Sequence, residues 1–138
     1  QNISTTMSEN KTTLESAIDP EALAAIRSLE ADYGNELLRQ VIRTYLDNAN
    51  KLIEALEQAW PVGDVKAIRM SSHTLKSSSS QVGAHSLAEL CRAVENDARD
   101  QKYDASGQSL LAIQRQFTQT CAVLKTYLDS SPANPGTR

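Results

Sequence analysis

The sequence predicts an all-α protein: an antiparallel four-helix bundle with a short additional N-terminal helix. Four long segments repeat apolar residues every three or four positions, the spacing of a helix with one buried face. Between Pro20 and Pro132, glycine and proline are too scarce to form the turns that a set of strands would need. Short connections join the four segments, and this favours an antiparallel arrangement of neighbouring helices.

The first two helices are predicted from their ends and their apolar stripes. Asp19 and Pro20 form a helix start, so a short helix is expected over about 20–30. It would bury Leu23, Ile26 and Leu29. The second helix should run from near Gly34 to about Trp60, where the segment Pro-Val-Gly-Asp interrupts the pattern.

Three more helices follow, at about 64–82, 85–101 and 104–129. The first of them carries a core-facing row that includes Ser72, Leu75 and Ser79, and Gly83 can end it in a left-handed conformation. Cys91 and Cys121 fall at apolar helical positions and have no metal-binding spacing. We interpret them as small buried hydrophobic residues in a reducing compartment.

These elements predict one packed domain over 18–129, preceded at 1–17 by a flexible linker or expression remnant and followed at 130–138 by a disordered tail. The formal charge of -3, with acidic and basic residues interspersed, argues against a nucleic-acid binder. Neither a signal peptide nor a membrane-spanning apolar run is visible in the sequence. We expect a monomeric cytoplasmic domain, and because the chain begins with Gln1, a piece of a larger protein.

The stretch HTLKSSSSQVGA at 73–84 is the unusual feature of the third helix. Arg69, His73, Lys76, Ser77 and Ser80 share one face of that helix, which lies to the side of the core-facing row. His73 should therefore be accessible to solvent, with the small side chains of Ser77 and Ser80 on the same face. A neutral imidazole is nucleophilic, and Lys76 and Arg69 could complement an anionic product such as a phosphoryl group. Because no phosphate-binding loop for ATP is present, these features indicate a group carrier that depends on its partners for catalysis.

This stretch resembles the signature of histidine-containing phosphotransfer (HPt) domains, approximately His-x-Leu-Lys-Gly-Ser-Ser-x-x-x-Gly-Ala. The resemblance extends over about 18–128. It includes the Asp-Pro-Glu helix start, the Gly-Asp turn before the motif and the sequence Leu-Ala-Glu-Leu-Cys-Arg after it. The matching motif residues are His73, Leu75, Lys76, Ser78, Ser79, Gly83 and Ala84.

The resemblance implies that His73 is phosphorylated, on Nε2, and exchanges the phosphoryl group with aspartates of response-regulator receiver domains. Those receivers would bring their own Mg²⁺, so no cofactor or metal is expected on this domain, and no kinase activity of its own. Lys76 would assist by its charge. Ser77 stands where the family has glycine, and is either a small spacer or a hydrogen-bonding neighbour of the ring. The family's habits also suggest the C-terminal piece of a hybrid sensor histidine kinase.

The remaining site residues have more modest predicted roles. Arg69, Ser80 and Gln81 are predicted to contact the partner, aided by apolar residues of the second helix. Gly83 is predicted to be structural.

Three alternatives stay open at this point. One is an enzyme in which His73 activates Ser77, although no orienting carboxylate lies one turn away on the same helix. Another is a plain helical interaction module in which His73 is incidental. The third is the phosphoacceptor domain of a chemotaxis-type kinase, whose partner would be that kinase's own catalytic domain.

Overall fold

The computed structural model describes residues 17–29 and 36–129. Across these ranges it is all-helical, as the sequence predicts. The helices are α1 (Pro20–Arg27), α2 (Leu37–Ala59), α3 (Val65–Gln81), α4 (His85–Arg99) and α5 (Gln108–Asp129). The expected linker over 1–16, the tail over 130–138 and the expected start of the second helix near Gly34 lie outside the described residues. Ala17, which the sequence assigned to the linker, is fully buried.

The four long helices form an antiparallel ring. Each packs on the next along the chain, and α5 closes the ring against α2. Near the start of α2, Arg39 Nη1 donates to the Leu128 carbonyl at the end of α5, over 2.6 Å. Near the end of α2, Glu57 accepts from Gln114, at the start of α5, over 2.7 Å. These two contacts fix α2 and α5 in opposite directions. No helix of the described ranges is both long and apolar enough to span a bilayer.

The core lies along the axis of the ring and is almost entirely aliphatic, as the apolar stripes predict. Every long helix contributes at least one side chain that is completely removed from solvent, among them Ile42, Leu56, Ile68, Leu75, Leu87, Ile113 and Leu124. Burial of aliphatic side chains on this scale, at roughly 1.5–3 kcal/mol for each, is the main force that holds the bundle together.

Two of the expected helix ends are wrong. The first helix stops at Arg27, so Leu29 falls beyond it and its expected burial is wrong: Leu29 is 50% exposed. The last helix begins at Gln108 rather than near 104. The Asp104 carboxylate accepts from the backbone N–H of Ser106 and of Ser109, over 3.0 and 2.9 Å, and so holds residues 104–107 in a turn.

Gly83 ends α3 in the left-handed conformation that the sequence predicts, with φ of 82°. The N–H of Ala84 bonds back to the Ser79 carbonyl over 2.8 Å, the pattern of a Schellman motif. Gly83 also contacts the start of α1, because the Asp19 N–H donates to the Gly83 carbonyl over 2.7 Å. A Cβ at 83 would lie 2.8 Å from the Asp19 carbonyl oxygen. The short helix therefore rests on a surface that only glycine leaves open.

The serines of the core-facing row are buried as predicted, and each has a hydrogen-bond partner. Ser72 Oγ donates to the Ile68 carbonyl over 2.7 Å. Ser79 Oγ lies 2.7 Å from the Tyr45 hydroxyl of α2, within the core. Burial raises the pKa of the Tyr45 phenol well above its usual value. Part of the serine run is therefore a buried polar link between α2 and α3.

The two cysteines are both free thiols but differ in burial. Cys91 is fully buried, as expected, and burial together with the nearby Glu95 charge raises the pKa of its thiol to about 12. Cys121 is only partly buried, so its predicted position in the core is only partly correct. Burial also raises the pKa of the Cys121 thiol.

Candidate functional site

His73 lies near the middle of α3, and its side chain is 58% exposed. Val65–Gln81 forms α3 because Asp64 caps its first turn, accepting from the Ala67 N–H over 3.1 Å. Ile68, Leu75 and the buried serines anchor the opposite face in the core. The helix therefore presents the ring to solvent from a rigid base, as the spacing of apolar residues predicts.

A carboxylate that sequence reasoning missed lies directly against the ring. Glu95 of α4 places Oε2 2.8 Å from His73 Nδ1. As the sequence indicates, no carboxylate lies one turn from His73 on its own helix; Glu95 comes from the neighbouring helix, which that prediction did not consider. A signal did exist, because Glu95 stands one residue after the buried Val94 and four after the buried Cys91, at the edge of an apolar stripe.

The contact assigns the protons of the imidazole. Burial of Glu95, whose side chain is 15% exposed, opposes its ionisation, but the contacts from Lys76 and His73 outweigh burial and lower the pKa of the carboxyl. Near neutral pH Glu95 is therefore ionised and can only accept hydrogen bonds. Nδ1 must then carry the proton and donate it, which leaves the lone pair of a neutral ring on Nε2. Nε2 makes no hydrogen bond to a described residue.

Lys76 lies on the other side of the same carboxylate. Its ammonium nitrogen is 2.8 Å from Glu95 Oε1, an ion pair between half-buried groups that lacks the direction of a good hydrogen bond. Lys76 is one turn beyond His73 on α3, so a single acid holds both side chains to α4. The positive charge predicted from the sequence therefore stands beside the ring, but it is already shared with an acid.

The structure gathers some of the predicted site residues and separates others. Arg69 is exposed and shares with His73 and Glu95 a groove of about 300 Å³ between α3 and α4. Ser77 and Ser80 are exposed, and their side chains make no hydrogen bond to a described residue. Gln81 lies apart, at the rim of a different groove on the α2 side.

That second groove has a volume of about 560 Å³ and is mainly apolar. It lies between α1, α2 and α3, and its walls include Ile26, Val41, Tyr45 and Val82. The sequence predicts that apolar residues of the second helix aid partner contact; Leu37 and Val41 of α2 line this groove, and His73 is not among its lining residues. Within the described ranges no cluster of acidic, histidine and cysteine side chains is suited to a metal ion.

The geometry of this site defines a class of protein. An exposed nucleophilic nitrogen on a rigid helix, with an orienting carboxylate and an adjacent ammonium, suits a carrier that meets a partner's electrophile. It does not suit an enzyme that encloses a small substrate, because His73 stands on an open surface.

The comparisons with known proteins agree with that class. The family model described as "Hpt domain" matches residues 40–131. The chain therefore belongs to the Hpt domain family, whose members are phosphocarriers in histidine phosphotransfer relays and interact with receiver domains.

One solved structure shares the fold. The crystal structure of histidine-containing phosphotransfer protein B (HptB) from Pseudomonas aeruginosa PAO1 superposes with a TM-score of 0.68 at 24% sequence identity. The superposition covers 80% of this chain and 92% of that chain. A search of curated proteins gives no significant sequence match.

Proposed function

We propose that this domain accepts a phosphoryl group on Nε2 of His73 from a receiver-domain aspartyl phosphate and passes it to the aspartate of another receiver. The observation that carries the proposal is the 2.8 Å contact between His73 Nδ1 and Glu95, which leaves Nε2 as the free nucleophile on an exposed ring. Membership of the Hpt family supports the reaction class.

In the proposed step, the Nε2 lone pair attacks phosphorus and forms the N–P bond. The bond between phosphorus and the aspartyl oxygen breaks, and the receiver's carboxylate leaves with the electron pair. The ring keeps its Nδ1 proton and becomes cationic, and the ionised Glu95 stabilises that charge at 2.8 Å. In the reverse step a receiver carboxylate attacks phosphorus and Nε2 takes back its lone pair. Mg²⁺ bound to the receiver would neutralise the phosphoryl oxygens in both directions.

Lys76 is proposed to assist from this chain. Its ammonium group already lies against Glu95, so a small movement would let it contact a phosphoryl oxygen while it stays near the carboxylate. Ser77 is proposed to act as a spacer, since it is exposed and does not hydrogen-bond to the ring. The apolar groove beside Gln81 is proposed to take part in receiver docking.

An enzyme with a Ser-His-Glu triad is the alternative to a phosphocarrier at this site. Glu95 supplies the orienting carboxylate that the sequence seemed to lack, so a Ser-His-Glu arrangement is conceivable. However, such a triad requires the serine hydroxyl at Nε2, and Ser77 makes no hydrogen bond to His73. The phosphocarrier is therefore the better reading of the site. Two free cysteines are also in keeping with the reducing cytoplasm that we propose as its location.

The test is phosphoryl transfer from a panel of ³²P-labelled receiver domains to the wild type and to His73→Gln. We expect acid-labile, alkali-stable label on the wild type and none on the variant. Because His73 is largely exposed, the substitution should change the free energy of unfolding by less than about 0.5 kcal/mol.

Two other results would decide against the proposal. Label retained by His73→Gln would place the phosphoacceptor elsewhere. Label that appears only with a histidine kinase catalytic domain and ATP, and never from a receiver, would favour the chemotaxis-type alternative.

A further inference from the structure

A strip of basic side chains with few ion pairs continues from the histidine toward the N-terminal end of α3. The groove that holds His73 and Glu95 is also lined by Arg69. Arg69 also lines a neighbouring groove of about 310 Å³ between α3 and α4, distinct from the apolar groove on the α2 side. Lys66 and Arg99 line this neighbouring groove too. We call Lys66, Arg69 and Arg99 the basic strip. Arg69 makes it continuous with the candidate phosphoacceptor site.

The charge of this strip contrasts with that of the whole chain. The formal charge of the protein is -3, yet α3 contains Lys66, Arg69 and Lys76 and no acidic residue. Glu95 offsets Lys76. Within the described ranges neither Lys66 nor Arg69 forms an ion pair, and Arg99 has only a distant contact, with Asp100 at 3.9 Å. Asp64, which precedes Lys66, is engaged in capping the Ala67 N–H.

The strip lies close enough to His73 to touch the same partner. At about 1.5 Å per residue, Arg69 is roughly 6 Å and Lys66 roughly 10 Å from His73 along the helix axis. A standard interface covers about 800 Å² on each partner, a patch roughly 30 Å across. Any domain that delivers a phosphoryl group to His73 therefore either covers these side chains or approaches them within a Debye length.

The chemistry of the expected partner is complementary. A site that carries an aspartyl phosphate and holds Mg²⁺ must be built largely from carboxylates, because Mg²⁺ takes oxygen ligands. Its surroundings attract positive charge before contact and during docking. None of the described residues that line the apolar groove on the α2 side is charged, so these residues do not supply this attraction.

We infer that the basic strip of Lys66, Arg69 and Arg99 is a docking surface for the acidic rim of the receiver's phosphorylation site, and that it governs the association step. This inference rests on the proposed function, since it assumes that a receiver is the partner. It assigns the two faces beside His73 different tasks: the α3–α4 side attracts and orients the receiver, and the α1–α2 side supplies apolar contact.

The experiment compares wild type with Lys66→Glu/Arg69→Glu by titration with Mg²⁺-loaded receiver domains at increasing salt. The matched control is Arg115→Glu/Lys125→Glu, which reverses two exposed charges that form no ion pair with a described residue. Both lie on α5, the helix diagonally across the ring from α3. Both variants take the formal charge from -3 to -7, since each reversal subtracts 2. Circular dichroism checks that both remain folded.

At low salt we expect the strip variant to bind receivers about tenfold more weakly than wild type does. The control variant should bind them less than about threefold more weakly. The difference should nearly vanish at about 1 M salt, where the Debye length is only about 3 Å. Equal weakening of the two variants would show an effect of net charge alone and overturn the inference. So would a tenfold loss that persists at high salt, which would indicate a short-range structural role.

The two proposals fail in different ways. Receiver binding that depends on the strip without transfer of label to His73 would refute the proposed function and keep the docking surface. Normal labelling with no sensitivity to Lys66 and Arg69 would refute the docking surface alone. No binding of any receiver to the wild type would refute both.

Discussion

At the scale of single residues, the function depends on which nitrogen of one imidazole is free. The sequence identifies His73 and the small or cationic residues around it, because these lie within two turns of a single helix. It does not identify the proton on Nδ1. That proton is assigned by Glu95, 22 positions later in the chain, and the distance of 2.8 Å exists only in the folded bundle.

This contact makes a specific prediction for Glu95→Gln. The amide retains the size of the side chain but removes the negative charge that stabilises the cationic phosphorylated ring, and it does not enforce one tautomer. We expect roughly tenfold slower phosphoryl transfer to His73 at saturating receiver. Rapid-quench measurement of the labelled domain would give the rate.

The matched control for that experiment is Glu89→Gln, on the same helix. Glu89 is exposed and paired with Arg92 over 2.6 Å, away from the histidine. Hydrogen bonding and charge from Arg92 lower the pKa of Glu89, so this control also removes an ionised carboxylate. Equal rates for Glu95→Gln and wild type would show that Glu95 does not position the ring.

At the scale of helices and turns, periodicity predicts where the helices lie but not how they begin and end. The fifth helix starts late because Asp104 binds the turn before it, and the first stops early, leaving Leu29 exposed. Such ends are decided by one or two side-chain hydrogen bonds, which the spacing of apolar residues does not report. The docking of α1 on Gly83 belongs to the same scale.

Gly83→Ala tests that docking, with Gly107→Ala as its control. Both glycines have positive φ, 82° and 84°, so both substitutions cost about 1–2 kcal/mol of backbone strain. At 107 no atom of a described residue lies within 4 Å of an added Cβ, whereas at 83 the Cβ would meet Asp19 and Ala22 at under 3 Å. We expect a further loss of about 1–3 kcal/mol at 83 from this overlap.

Urea unfolding would give the two free energies, and hydrogen exchange would report the amides of α1. The expected result is faster exchange over Pro20–Arg27 in Gly83→Ala but not in Gly107→Ala. Identical behaviour of the two variants would mean that α1 does not depend on the space at Gly83.

At the scale of the whole molecule, stability and chemistry occupy opposite faces of the same helix. Leu75 is fully buried and lies two residues from the exposed His73. Trp60 is buried at the far end of the bundle, where its indole N–H donates to the Asp104 carbonyl over 2.7 Å. Its fluorescence therefore reports the packing of the loop before α5 on the end of α2.

Leu75→Ala should destabilise the domain by about 2–5 kcal/mol, because it empties space in the centre of the ring. Leu29→Ala, the same substitution at a half-exposed position, should cost less than about 0.5 kcal/mol. We expect Trp60 fluorescence and circular dichroism to give coincident unfolding curves in each case. Non-coincident curves would show that the end of the bundle near Trp60 unfolds separately from the helices.

The sequence by itself determined the helical class, the approximate positions of the helices and the face that carries His73, because all of these follow from spacing within a few turns of chain. Its HPt-like motif also indicated the family, which the family match then showed. Only the tertiary structure decided that Glu95 contacts the ring, that α1 packs against Gly83 and that Arg69 lines two grooves between α3 and α4. These features depend on the rotation and register of one helix against another. Those quantities are set by packing across the whole core, and local periodicity does not specify them.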